Sequence, residues 1–207
     1  MASTRTNLGA LLVGSLFAIG GAGCGDDPAA IVGSWRAEAN ALDTGALPVG
    51  DRQVLTFLAD GTVTAGGFAA AQPGTYTVEG DRLTIVTPRQ DAGLDSQTTT
   101  FYASDTRLVL DVMTSVDAGD GLNGTWHGAR VTNGSMIDTT VILRADQTGR
   151  FESRDSVSGG SIGIEASWTQ QGDDVAVRAT ISPDQLIAFY ATRVDGMLGT
   201  PYERLAP

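Results

Sequence analysis

Few side chains in this 207-residue sequence could do chemistry, and their scarcity already narrows the field. There is one histidine, His127, and one cysteine, Cys24. A zinc site needs about four nitrogen or thiolate ligands, and a serine triad needs a histidine as base, so neither constellation can be assembled. His127 directly follows Trp126, which reads as a structural tryptophan, and this disfavours the histidine as a catalytic base. The run Ser156-Val157-Ser158-Gly159-Gly160-Ser161 only approaches the Gly-x-Ser-x-Gly spacing of a nucleophile elbow and reads as a hairpin loop. Carboxylates are plentiful: Asp26-Asp27, Asp173-Asp174, and Asp117 with Asp120 before Asn123. That last segment lacks the alternating oxygen ligands and terminal glutamate of a calcium loop, so these acids read as solvated turn residues. No glycine-rich phosphate loop joins a strand to a helix. The expectation is therefore no catalytic residue, no metal ligand and no cofactor.

Charge excludes a further class. Thirteen basic residues, all arginine, stand against 24 acidic ones, giving a formal net charge of -11. Nucleic-acid binding depends on neutralising phosphates with a basic patch, so no nucleic-acid partner is expected. A composition of 42% hydrophobic and 18% charged residues is that of a folded chain.

The elements that must position any site begin after an export signal. Leu8 to Ile19 is an apolar run behind Arg5, too short for a transmembrane helix, which needs roughly 20 apolar residues. Small residues follow at once. The rest of the chain shows short alternating runs and turn dipeptides, with no sustained 3.6-residue repeat. Strands are expected at 54–58, 61–65, 75–78, 82–86, 98–102 and 107–113, with Asp60-Gly61 and Gly80-Asp81 as turns. Links this short permit only antiparallel neighbours. Leu55, Phe57, Val63, Tyr76, Val78, Leu83, Ile85, Phe101, Leu108 and Leu110 are the expected inward positions.

The second half repeats the first. Ile31-Val32-Gly33-Ser34-Trp35-Arg36 returns 91 residues later as Leu122-Asn123-Gly124-Thr125-Trp126-His127. Leu58-Ala59-Asp60-Gly61-Thr62 returns as Arg144-Ala145-Asp146-Gln147-Thr148, and Tyr76 to Asp81 as Trp168 to Asp173. Phe101-Tyr102-Ala103 is matched with Phe189-Tyr190-Ala191. The expected organisation is a signal at 1–23, a tether at 24–30, a repeat at 31–116, a linker at 117–121 and a second repeat at 122–207. One wide barrel of a dozen strands would leave a channel, whereas about eight strands can be filled by side chains, which favours two modules.

Two resemblances follow from these residues. Gly21-Ala22-Gly23-Cys24 resembles the lipobox of bacterial lipoproteins, with Gly21 where that family usually has a larger apolar residue. The resemblance implies acylation of Cys24, a membrane partner reached through the acyl anchor, and a place in the cell envelope. Gly25 after the cysteine favours the outer membrane over the inner one. In such a chain the sequons at Asn123 and Asn133 are accidental.

The Gly-x-Trp openings Gly33-Ser34-Trp35 and Gly124-Thr125-Trp126, each followed by a hairpin and an aromatic strand, resemble bacterial lipocalin-like domains. This implies an all-β fold of two tandem antiparallel meanders, as small barrels or sandwiches, with both tryptophans in the core. In that family an arginine of the last strand covers the tryptophan ring, which nominates Arg204 as the partner of Trp126; the first half offers no matching arginine. The implied function is carriage of a small apolar or amphiphilic ligand. The alternative is an envelope protein-interaction or structural role of the protease-inhibitor type, using 40–50 or Asp155 to Ser161 against a protein partner. An enzyme is the least favoured class.

Overall fold

The computed structural model describes residues 28–43, 52–66, 73–89, 93–117, 121–182 and 185–206. The signal segment, Cys24 and most of the expected linker lie outside them. A 3-10 turn at Pro28–Ile31 precedes fourteen antiparallel strands. The first seven are β1 (Gly33–Ala37), β2 (Val54–Phe57), β3 (Thr62–Gly66), β4 (Pro73–Glu79), β5 (Arg82–Pro88), β6 (Leu94–Ala103) and β7 (Arg107–Ser115). The second seven are β8 (Gly124–Thr132), β9 (Ser135–Leu143), β10 (Thr148–Asp155), β11 (Ser161–Gln171), β12 (Asp174–Ser182), β13 (Gln185–Val194) and β14 (Met197–Arg204). The expected strands of the first half are all present, most a residue or more longer. All ten expected inward residues belong to one cluster, in which Val78 and Ile85 are half-buried and the other eight buried.

The halves form one continuous sheet. Fourteen strands close into a ring in chain order, and β14 also pairs with β7 across that ring. This cross-pairing divides the ring into two eight-stranded circuits that share β7 and β14. The first takes β1 to β6 plus the shared pair, and the second takes β8 to β13 plus the same pair. The channel expected of a wide barrel is thereby avoided. Closure, however, differs from that of two self-contained modules: β1 pairs with β14 from the second half, and β8 pairs with β7 from the first.

The shared strands serve the two circuits at successive levels. Leu108 to Leu110 of β7 pair with β6, whereas Thr114 and Ser115 pair with β8. On β14, Met197 to Gly199 pair with β13, and Tyr202 to Arg204 with β1. The two strands meet as Leu198↔Met113 and Thr200↔Leu110, so β7 carries one extra residue between these pairs. At this bulge Asp111 takes a positive φ of 52°, a conformation that aspartate tolerates better than most residues. The extra residue resets the alternation. Leu108 and Leu110 enter the first core and Met113 the second, while Val109 and Val112 pack on the opposite face with Val194. Regular pleating would have turned Met113 outward.

The two cores are built alike. Trp35 and Trp126 are buried, and each indole N–H donates to a carbonyl four residues earlier, Ile31 at 2.7 Å and Leu122 at 2.9 Å. The preceding Gly33 and Gly124 have φ of 140° and 138°, which side chains rarely adopt. The Tyr76 hydroxyl donates to the Leu58 carbonyl and the Trp168 indole to the Arg144 carbonyl, fixing the matched hairpins. Three of the four matched blocks coincide in structure. The fourth is corrected. Arg82 pairs with Thr100 and Asp174 with Thr192, so Phe101 corresponds to Arg193, and Phe189 corresponds to Gln97.

Arg204 is also reassigned. Its guanidinium lies over Trp35, 4.6 Å from the ring centroid, and donates to the carbonyls of Ala30 and Val32 at 3.0 and 3.1 Å. The residue opposite Trp126 is Ser115. The cause is the cross-closure: the last strand of the second half completes the first circuit. Replacement of Arg204 by alanine should lower stability by about 1–2 kcal/mol, the combined scale of a cation–π contact and the exposed hydrogen bonds. Urea unfolding measures this. Tryptophan emission should change in a W126F/W168F background, which reports Trp35, and stay constant in a W35F/W168F background, which reports Trp126.

Candidate ligand cavity

Among the described residues, two partly open cavities are lined by residues of the circuits and of the shared strands. The larger, about 610 Å³, sits in the first circuit; its apolar wall is formed by Leu55, Ala65, Ile85 and Leu110. The smaller, about 250 Å³, sits in the second among Met113, Phe151 and Phe189. Asp111 and Thr200 line both. The shared strands therefore carry the boundary between the cavities at the bulge.

Register explains why the two halves differ in hollowness. Leu55 faces Ala65 across β2 and β3, and Val141 faces Phe151 across β9 and β10. Ile85 faces Gln97, and Val177 faces Phe189. The phenyl rings that fill the second circuit thus stand where the first has a methyl group and an amide. A ligand site of about 300–1,000 Å³ is the usual size, and only the first cavity reaches that range.

Most of its lining residues carry polar groups, and several are held by hydrogen bonds. The Thr99 hydroxyl donates to Asp111 Oδ1 at 2.8 Å and accepts from the Asp111 backbone N–H at 3.1 Å. Thr99 is one of two buried polar residues among those described. The Tyr202 hydroxyl donates to Gln53 Oε1 at 2.9 Å. Burial, reinforced by the negative charge of Asp111, pushes the Tyr202 hydroxyl up to about 12. Tyr202 is therefore a fixed hydrogen-bond donor at physiological pH. Asp95 lies at the rim, where Asn133 Nδ2 donates to it at 3.2 Å and Arg89 stands 3.5 Å away.

A third depression, an open groove of about 870 Å³ outside the circuits, includes Glu38, Arg107 and Glu203. Here Arg107 makes two hydrogen bonds to Glu38, at 2.8 and 3.0 Å, and Glu203 is bonded by Arg36. These pairs tie the closing strands together, and Arg52, Asp173, Arg193 and Asp195 also line the groove.

The residues singled out from sequence occupy other places. Gly33, Trp35, Gly124, Trp126 and Arg204 lie at the closed ends, and none lines a cavity. Cys24 falls outside the described residues. Asp111, Thr99, Gln53 and Tyr202 were not foreseen. The available signal was Asp111 itself, a lone acid within Leu108-Val109-Leu110-Asp111-Val112-Met113. Among the described residues no group of three metal-binding side chains occurs. In comparisons with family models, curated proteins and solved structures, the chain gives no significant match.

The raised Tyr202 value fixes a pH dependence. The folded chain holds the phenolic proton more tightly than the unfolded chain, whose tyrosine titrates near 10. The corresponding stability is fully present below about pH 10 and is lost as pH rises toward 12. Denaturant midpoints should fall across this window. Tyr202→Phe should flatten the fall while leaving a smaller residue from Tyr76, which burial also raises.

Proposed function

We propose that this protein is a binding module that carries a small amphiphilic molecule in the cavity of its first circuit. The observation that carries the reading is the cavity: about 610 Å³, within the usual range for a small-molecule site, with Leu55, Ala65, Ile85 and Leu110 set among a polar lining in which Thr99, Asp111 and Tyr202 are held by hydrogen bonds. The twin Gly-x-Trp openings support a pair of lipocalin-like meanders joined by exchanged closing strands. The apolar leader and Cys24 support an exported protein held to the outer membrane by acyl chains.

Exposed Met136, Val157 and Ile162 favour a second reading, contact with a protein partner. Ser153 pairs with Ile162, and the Ser156 N–H donates to the Met136 carbonyl, so these residues gather at the β9 to β11 ends. Val157 belongs to the segment Asp155 to Ser161 expected to serve that role.

Native mass spectrometry of protein extracted from its own envelope distinguishes the readings. A one-to-one small-molecule adduct is expected; a stoichiometric protein companion with no adduct would favour the second reading. The variant A65F/Q97F gives the first circuit the phenyl rings of the second. It should fold with unchanged or higher stability and lose the adduct at least tenfold. Retention of full binding by this variant would place the ligand elsewhere.

A further inference from the structure

Asp111 is a half-buried carboxylate facing the cavity. It lies in the middle of a strand shared by both circuits and lines both cavities. Its side chain has one hydrogen-bond partner among the described residues, Thr99, and it forms no ion pair there. Among the described residues, the wall of the larger cavity contains two carboxylates, Asp95 and Asp111, and no arginine. Asp95 already has Arg89 and Asn133 beside it. The unbalanced charge in that cavity is thus Asp111.

The lining around Asp111 suits a cation attached to an apolar body. An anionic head would meet uncompensated repulsion at short range in a partly desolvated site. A neutral polar head would leave Asp111 unpaired on displacement of water, and the one Tyr202 proton is already held by Gln53. A protonated amine donates charge-assisted hydrogen bonds to Asp111, and its apolar body lies against Leu55, Ile85 and Leu110. Arg130, opposite Thr99 on β8, lines the smaller cavity only, is exposed to solvent and forms no ion pair with Asp111, so its repulsion is screened.

We infer that the first cavity selects cationic amphiphiles, with Asp111 as the counter-ion of an organic ammonium group. This rests on the ligand-carrying reading above and adds the class of head group. Asparagine accepts the same positive φ and can still accept from Thr99, so Asp111→Asn removes the charge with the least disturbance.

Affinities of the purified full-length protein for dodecylamine, dodecanol and dodecanoate are compared by calorimetry at pH 7.5, below their micelle-forming concentrations. The wild type should bind one dodecylamine at least tenfold more tightly than dodecanol, with dodecanoate weakest. D111N should bring the amine and alcohol to within about threefold of one another while leaving the alcohol unchanged. D195N, which removes an exposed turn carboxylate, should keep the full preference. Equal binding of amine and alcohol by the wild type overturns the inference while leaving carriage intact. A preference that survives D111N, or falls equally in D195N, overturns it in favour of general surface charge. Binding of none of the three overturns the carrying function, and the head-group assignment with it.

Discussion

Backbone hydrogen bonding between β7 and β14 is the constraint on which the remaining architecture depends. Each of these strands is the last of its own half, and each completes a circuit begun by the other half. With this pairing, a fourteen-stranded ring that would enclose a wide lumen becomes two circuits of eight, a size at which side chains can fill the interior. Further ties cross between the halves. Thr98 pairs with Val131 on β6 and β8, and Asn40 donates to the Ala191 carbonyl at 2.8 Å.

The same seam creates the candidate site. One added residue in β7 lets the strand face two cores in succession, and its conformational demand falls on Asp111. The bulge therefore places a carboxylate between two cavities in a region otherwise occupied by Leu110 and Met113. The circuits then diverge through their linings. Phe151 and Phe189 occupy the second, whereas Ala65 and Gln97 leave the first open. Arg204 marks the same divergence at the closed ends, covering Trp35 where Ser115 stands opposite Trp126.

How much of this could be read from the sequence depended on whether a feature was local. Alternation and turn dipeptides fixed the strands and the first core, because one face of each strand must be buried. Asn133-Gly134 could have been read as the β8–β9 hairpin turn, which its φ values of 50° and 82° make it, rather than only as a sequon. Closure was not legible. Alternation in β14 is the same whether it pairs with β8 or with β1, so Arg204 was assigned to the tryptophan of its own half. Matching Phe101 with Phe189 followed residue type, while structure places Phe189 opposite Val177 and leaves Gln97 as its counterpart. That error concealed the substitution that opens the cavity. A strand pattern shows the acid at Asp111 only as an interruption, and the pairing is what reveals a bulge.

Separation of the two halves probes the exchanged closure most directly. Residues 28–117 and 121–207 are produced as individual polypeptides, and hydrogen exchange is measured on the monomeric fraction of each and on their mixture. Exchange of closing strands requires that neither monomer alone protect its strands and that mixing restore protection in β1, β7, β8 and β14 together. A monomeric half that folds cooperatively with native-like protection would show that its circuit closes on itself, contradicting the shared seam.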